Sequence, residues 1–160
     1  MTKTTRNSRA RDLRSLLFVP QHDLQAQVAS RLERLGFPQL RPAHVQLLSA
    51  IAPEGVRLAE LVTAVCLPKQ TVGDLIDDLE GMKMVERFPD PDHGVIKRVR
   101  LGPKGKIWAN EVKRVAQATE ARWATRLGSK KMKSLRALLE ELAATVEIDD
   151  LANGTKQKRG

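Results

Sequence analysis

Few side chains in this sequence could perform covalent or metal chemistry, and they lie far apart. His22, His44 and His93 are scattered along the chain, and Cys66 is the single cysteine. The sequence contains no glycine-rich phosphate loop and no metal-ligand spacing. Isolated histidines are usually ordinary surface or core residues. We therefore predict a protein that is not an enzyme and has no metal site and no cofactor.

A redox role for Cys66 is the remaining chemical alternative. The chain has no second thiol that could resolve an oxidised cysteine, and Val65 and Leu67 flank the residue. We therefore expect a small buried side chain, with a redox-active thiol as the less favoured reading. A lone cysteine also agrees with a reducing compartment. Because no apolar stretch approaches the roughly 18 residues that cross a bilayer and no signal peptide is recognisable, we predict a cytoplasmic protein without a membrane partner.

Charge gives the first positive indication of a partner. The 160 residues have a formal net charge of +9. The basic excess lies in residues 1–20 and 102–136, whereas residues 68–80 are acidic. A basic balance of this size favours a polyanionic partner, and nucleic acid is the usual one for a soluble protein.

Residues 58–82 have the pattern of two helices joined by a tight turn. The second helix is predicted from Pro68 to Met82, with polar residues on its outer face. Its apolar residues recur at helical spacing on one face and are Val72, Leu75, Ile76, Leu79 and Met82. A helix-turn-helix has this pattern, although any helical hairpin gives a similar one.

A β-hairpin is predicted directly after these helices. Strand-like segments at 84–88 and 95–101 flank a run of turn residues at 89–94. In the second strand, Val99 and Leu101 are expected to face the core, and Arg98 and Arg100 are expected to face outward. A hairpin of two strands needs support from neighbouring helices. The predicted fold class is therefore mainly α with a small two-stranded β wing, which is a winged helix-turn-helix.

Long helical segments flank this winged domain on both sides. The last one has an apolar seam typical of helices that pack side by side, formed by Met132, Leu135, Leu139, Leu142 and Val146. One chain could satisfy this seam alone, but a compact winged domain does not need three further helices to cover itself. We therefore favour a homodimer. The candidate dimerisation residues are Leu13, Leu16, Leu17, Leu135, Leu138, Leu139, Leu142 and Val146.

Four segments in this order resemble the multiple antibiotic resistance regulator (MarR) family. They are Arg57–Leu61, Leu67–Glu80, Met84–Asp92 and Val99–Gly105. The resemblance covers residues 41–105 closely and, by helix order, extends to about 12–148. It implies a homodimeric transcriptional repressor that reads a palindromic operator in double-stranded DNA. It also implies release by a small aromatic or lipophilic effector.

The predicted organisation follows from these elements and from the resemblance. Pro20 is expected to kink or divide the N-terminal helical region, which should end near Gly36. The predicted order is a disordered basic tail at 1–10, an N-terminal dimerisation region at 11–36, a winged helix-turn-helix DNA-binding domain at 41–101, C-terminal dimerisation helices at 102–150 and a disordered tail at 151–160.

The resemblance also implies roles for single residues. The helix from Pro68 to Met82 would enter the major groove, where Gln70 could pair with adenine. Asp74 could accept a hydrogen bond from cytosine or could equally have no role in readout. The candidate DNA-binding residues are Arg57, Lys69, Gln70, Thr71, Gly73, Asp74, Arg87, His93, Lys97 and Arg98. A ligand pocket could include His22 and Trp108, although plain core is the favoured interpretation of a tryptophan at helical spacing.

Four positions depart from the family pattern, one of them being Lys83, which replaces the glycine that usually ends the recognition helix. Val95 stands where the family usually has a wing-tip arginine, so Lys97 or Arg98 would have to replace it. Asp74 and Asp78 stand where basic residues are common, which weakens attraction to DNA. The alternative hypothesis is therefore a winged-helix protein-interaction module with weak or no specific DNA binding.

Overall fold

A computed structural model describes the backbone of residues 12–157 and the side chains of residues 12–146. The six helices are α1 (Leu13–Arg34), α2 (Pro42–Ser49), α3 (Leu58–Val65), α4 (Lys69–Gly81), α5 (Pro103–Leu127) and α6 (Ser129–Gln157). The three strands are β1 (Val56–Arg57), β2 (Val85–Pro89) and β3 (Lys97–Leu101). The predicted fold class is confirmed, because a helix-turn-helix is followed by a β wing and is flanked by long helices.

The predicted two-stranded wing is formed by β2 and β3, and a third strand that was not predicted, β1, joins the same sheet. The strands are antiparallel in the order β1-β3-β2, with Val56 opposite Val99 and Val85 opposite Leu101. Strand β1 has only two residues, too few to show the alternation that identifies a strand in a sequence. It nevertheless covers the free edge of β3 and ties the start of α3 to the wing.

The core lies between helices α2, α3 and α4 and the inner face of the sheet. Helix α4 contributes the buried stripe predicted for it, whose most enclosed members are Val72, Ile76 and Leu79. Leu47, Leu48, Leu61, Met84, Val85 and Val99 complete the most enclosed layer. Trp108 packs against this cluster with 4% of its surface exposed, so the core interpretation of this residue is confirmed.

Helix α1 continues through Pro20, so of the two predicted effects of Pro20 the division of the helix is wrong, and a kink stays a prediction. The helix begins where the Asp12 Oδ1 accepts a hydrogen bond from the Ser15 N–H at 2.7 Å. The backbone donor that proline lacks would have bonded to the carbonyl of Leu16, one turn earlier. Leu16 is exposed, so water can satisfy that carbonyl and the helix persists. Gly36, with φ of +72°, follows the helix as predicted.

An ion pair joins α1 to α5. The Arg31 Nε donates to the Glu111 Oε2 at 2.7 Å, and the Arg114 Nη2 donates to the same oxygen at 2.7 Å. The Arg31 and Arg114 guanidinium groups hold the pKa of Glu111 at about 2. Sequence periodicity predicted both helices but gave no indication of this link.

The described residues form two compact units, divided between Ala116 and Gln117. In the second unit, Arg136 pairs with Glu120 and, at 3.2 Å, with Glu140, while Met132 and Thr119 are buried. Helix α6 extends to Gln157, so the prediction of a disordered tail is wrong for residues 151–157. Residues 158–160 and the tail predicted at 1–10 lie outside the described residues.

Large apolar side chains remain exposed on the terminal helices of each unit. On α1, Leu13 is 67% exposed. Leu16, Leu17, Phe18 and Val19 are also exposed on that helix. On α6 the exposed set is Leu135, Leu138, Leu139, Leu142 and Val146. These sets contain all eight candidate dimerisation residues, and their role in pairing stays a prediction.

Candidate nucleic-acid interface

The turn between α3 and α4 orients the second helix. Helix α3 ends at Cys66, whose φ of +53° places it in the left-handed region and reverses the chain. Pro68 then occupies the N-cap position of α4. Because proline has no N–H group, this position adds no unsatisfied donor to the start of the helix. Cys66 is exposed, so the prediction of a buried side chain is wrong. The position terminates a helix rather than filling the core.

The N-terminal half of α4 has polar side chains that form no hydrogen bond or ion pair with other described residues. Lys69, Gln70, Thr71 and Asp74 are exposed, and Gly73 is half-buried. Gln70 and Asp74 are four residues apart and so lie on one face, opposite the buried stripe. The structure therefore places five predicted DNA-binding residues together on one surface, which we call the outer face of α4.

Two acidic residues near the end of α4 are paired with an arginine of the wing. The Arg87 Nη2 lies 2.5 Å from the Asp77 Oδ1, and the Arg87 Nη1 contacts the Glu80 Oε2. Partial burial alone would lower the pKa of Arg87, but the hydrogen bonds that Arg87 donates to Asp77 and Glu80 outweigh it and raise that pKa. Arg87, a predicted DNA-binding residue, thus neutralises acidic charge within the protein.

A third acidic residue of α4 is paired with α2 and the residue before it. The Arg41 Nη2 donates to the Asp78 Oδ2 at 2.6 Å, and the His44 Nε2 lies 3.4 Å from the same oxygen. The Nδ1 of the buried His44 accepts from the Arg41 backbone N–H at 3.3 Å. Asp78 stands where the family commonly has a basic residue, but its negative charge is paired with Arg41 within the protein. The sequence analysis did not predict this partner.

The base of the wing is organised around the Asp90 carboxylate, whose side chain is fully buried. The Arg57 Nε donates to its Oδ2 at 2.7 Å. The backbone N–H groups of Asp92 and His93 donate to its Oδ1 at 2.9 and 3.2 Å. The hydrogen bond from Arg57 is the largest cause of a lowered pKa at Asp90, and the two backbone hydrogen bonds add to it. Burial acts in the opposite direction, and the resulting pKa of Asp90 is about 2.

Arg98 is also part of this wing base. It lies on the face of β3 opposite Val99, as predicted, but it is paired there and is not fully open to solvent. Its side chain is 21% exposed, and its Nη1 lies 3.7 Å from the Asp90 Oδ2. Its Nη2 donates to the Gly55 carbonyl at 2.7 Å, in the turn before β1. Alternation along β3 could not reveal this contact, because it depends on the unpredicted strand β1. Arg57 and Arg98, both predicted to bind DNA, hold the wing together.

Sequence reasoning treated Asp90 only as a turn residue. The signal that could have identified it is local: an aspartate at the start of a turn commonly accepts hydrogen bonds from backbone groups two and three residues later. Its burial, by contrast, depends on strand pairing that is remote in the sequence.

The wing tip is apolar at its most exposed point. Val95 is 96% exposed, and its neighbour Ile96 is also exposed. The turn is held by backbone bonds of 2.8 Å from Asp90 to Ile96 and from Ile96 to His93. Arg100 faces outward as predicted and is paired with Glu86 at 2.6 Å.

Lys97 is the available cation of the wing. Of the cationic side chains that the structure describes on β2 and β3, it alone has no acidic partner. His93 is exposed beside it in the tip. Lys97 and Arg98 were the two candidates to replace the wing-tip arginine that Val95 displaces. Arg98 is paired with Asp90, so Lys97 is the candidate whose charge is free to contact DNA.

The two candidate ligand-pocket residues have different surroundings. His22 is exposed on α1, with its ring centre 5.6 Å from that of Phe18. Trp108 is buried, and its indole Nε1 has no hydrogen-bond partner among the described residues. A pocket shared by these residues stays a prediction.

No group of three or more His, Cys, Asp or Glu residues in the described part of the chain could hold a metal ion. None of the helices described is both long and apolar enough to span a membrane.

Comparison with known proteins gives no match to a family model and none to a curated protein. Solved structures do match. MarR is 22% identical with a TM-score of 0.63, covering 85% of this chain and 98% of that one. The transcriptional regulator Tm0710 from Thermotoga maritima is 23% identical with a TM-score of 0.60, covering 86% and 92%. A mutant of S. aureus MepR bound to an oligodeoxyribonucleotide is 19% identical with a TM-score of 0.54, covering 85% and 99%.

Identities in this range establish a shared fold. The likeness extends over the helix-turn-helix, the wing and the long flanking helices, since it covers at least 85% of the chain in each comparison. The protein therefore has the MarR-family fold.

Proposed function

We propose that this protein is a cytoplasmic, DNA-binding transcriptional regulator that acts as a homodimeric repressor at a palindromic operator. The single observation that carries the proposal is the outer face of α4. It presents the exposed side chains of Lys69, Gln70 and Thr71, which make no hydrogen bond or ion pair among the described residues, in the helix that follows the turn of a winged helix-turn-helix. Such helices bind in the major groove through their N-terminal residues.

In this proposal the contacts divide into readout and positioning. Gln70 offers a side-chain amide, which can pair with the N6 and N7 edge of adenine. Lys69 and Lys97 are cations without an acidic partner in the part of the chain that the structure describes, and they are suited to phosphate. Arg57, Arg87 and Arg98 act within the protein instead, by fixing the wing and neutralising the acidic residues of α4. The structure of a MepR mutant with an oligodeoxyribonucleotide supports DNA as the partner of this fold.

The dimer is proposed from the exposed leucines of α1 and α6. Large apolar side chains on long helices are poorly suited to water, and a second copy would cover them. Two-fold symmetry then requires two equivalent half-sites, separated by about 34–36 Å for successive major grooves.

We also propose release by a small aromatic or lipophilic effector. A structure of S. aureus MepR, 16% identical with a TM-score of 0.61, is bound to ethidium bromide. The unpartnered Nε1 of Trp108 and the exposed ring of His22 are the candidate contacts in this chain.

The test is fluorescence anisotropy of the full chain with DNA from upstream of its own gene and with a shuffled sequence of equal length. We expect the upstream DNA to bind at least 10³-fold more tightly. We also expect the logarithm of the affinity to fall steeply with the logarithm of salt concentration, because phosphate contacts release counterions. Weak binding of equal strength to both DNAs would contradict the proposal and would favour the protein-interaction module.

A further inference from the structure

The four acidic residues of α4 are not equivalent. Asp77 and Glu80 are paired with Arg87, and Asp78 is paired with Arg41. Asp74 is exposed and has neither an ion pair nor a side-chain hydrogen bond among the described residues. One uncompensated carboxylate therefore remains on α4, within the half of the helix that carries Gln70.

The position of Asp74 gives the helix itself no benefit. Acidic residues stabilise a helix in its first turn, where they interact with the positive end of the dipole. Helix α4 begins at Lys69 and has no acidic residue in that turn. Asp74 is in the second turn, three and four residues before Asp77 and Asp78, where like charges are unfavourable. The residue therefore has no stabilising contact that would account for it.

The direction of Asp74 is set by the helical repeat. It lies four residues after Gln70, so the two side chains are adjacent, with about 5–6 Å between their β-carbons. Both are opposite Val72, Ile76 and Leu79, which are buried. In the proposed complex, both therefore face base edges, and this spacing corresponds to one or two base-pair steps of about 3.4 Å.

We propose that Asp74 determines specificity by accepting a hydrogen bond from the N4 amino group of cytosine and by repelling other bases at that position. This inference rests on the proposed function. In the major groove, guanine presents two acceptors, and thymine presents an acceptor and a methyl group, so both leave a carboxylate unsatisfied. Adenine places the N7 acceptor beside its amino group, which opposes the second carboxylate oxygen. Cytosine alone presents a donor without an adjacent acceptor.

The operator half-site consequently contains a cytosine within two base pairs of the adenine that Gln70 contacts. The carboxylate also repels phosphate, which is the source of sequence-independent affinity. Asp74 thus lowers binding to all DNA and recovers the loss only where the amino donor is present. This is specificity achieved by penalising the wrong sequence.

The test compares the full-length wild-type protein with Asp74→Ala, Asp74→Asn and Glu33→Ala. Each is selected against a library with randomised half-sites, and affinities for the selected and random DNA are then measured by anisotropy. Glu33 is exposed on α1, so Glu33→Ala removes the same charge away from the outer face. Circular dichroism confirms that each variant folds.

We expect Asp74→Ala to lose about 5- to 150-fold of its discrimination at one base pair and to bind random DNA more tightly than Glu33→Ala does. Asp74→Asn should change the preference at that position from cytosine to adenine. The inference is overturned if the wild type binds its operator selectively but Asp74→Ala keeps every base preference. A wild type that binds no DNA selectively would overturn the proposed function itself, so the two failures are distinguishable.

Discussion

The Arg57 Nε lies 2.7 Å from the Asp90 Oδ2 and joins the two-residue strand β1 to the turn at the end of β2. Because the Asp90 side chain is fully buried, its charge has to be satisfied by this arginine and by the backbone of the turn. The pair therefore fixes where the wing starts relative to α3, and its protonation should affect stability.

We predict that Asp90→Asn makes the acid-induced loss of stability less steep. The pKa of Asp90 is about 2 in the folded protein and about 3.9 in an unfolded chain. A lowered pKa stabilises the fold fully above about pH 4, and this contribution is lost as the pH falls through 4 towards 2. Urea unfolding at pH values from 2 to 7 measures it. Glu111, whose pKa is also held at about 2, leaves a residual slope.

The control for this experiment is Asp92→Asn, which changes an exposed carboxyl in the same turn. It should reproduce the wild-type pH profile. Asp90→Asn should also lower the urea midpoint at pH 7, because Arg57 and Arg98 lose their shared partner. Parallel profiles for the wild type and Asp90→Asn below pH 4 would contradict the role assigned to Asp90.

We predict that Gln70→Ala and Lys97→Ala weaken DNA binding in different ways. Loss of a bidentate amide contact costs about 1–3 kcal/mol for the correct base alone, so Gln70→Ala should reduce discrimination more than affinity for random DNA. Lys97→Ala should weaken binding to all sequences and reduce the salt slope by about one per subunit. Anisotropy titrations on operator and random DNA at several salt concentrations separate the two. Identical effects from both substitutions would refute this division of roles.

We predict that Val95→Arg strengthens DNA binding. Val95 is almost fully exposed at a turn held by backbone hydrogen bonds, so a cation there can reach a phosphate or the minor groove without repacking the wing. Affinity should rise about threefold or more at low salt, and the salt slope should increase by about one per subunit. Val95→Gln, of similar length but uncharged, is the matched control. An arginine variant with unchanged slope would show that the tip does not approach DNA.

We predict that Leu139→Glu produces a folded monomer. Leu139 is exposed on α6, so the substitution should not disturb the core of the chain, whereas a glutamate buried between two copies would be strongly unfavourable. Sedimentation velocity at micromolar concentration measures the change, with Lys133→Glu on the same helix as the control. A wild type that is already monomeric at that concentration would exclude the proposed dimer.

The helix-turn-helix was predictable because its information is local. The spacing of Val72, Leu75, Ile76 and Leu79 is sufficient to identify the buried face of α4, and burial on that face is confirmed. The outer face follows from the same repeat, so Gln70 and Asp74 were placed correctly. The continuation of α1 through Pro20 was not predictable in this way, since helical spacing does not show whether a proline divides the helix in which it lies.

The wing was less predictable because its contacts join segments that are remote in the sequence. Arg57 and Asp90 are 33 residues apart, and Arg98 and Gly55 are 43 apart. Alternation along β3 shows which side chains point away from the core. It does not show that the buried carboxylate of Asp90 lies on that side and pairs with Arg98. Charge counting had the same weakness on α4, where the pairing of Asp78 with Arg41 became visible only in the structure.

The glycine at position 105 has a mechanical consequence. A β-carbon there would collide with the carbonyl oxygen of Met84, and that oxygen also accepts the Gly102 N–H at 2.8 Å. The backbone of the first turn of α5 therefore contacts the backbone of Met84, which precedes β2, with no side chain between them. A side chain at position 105 would push the start of α5 away from the hairpin, so glycine there is what lets the two backbones touch.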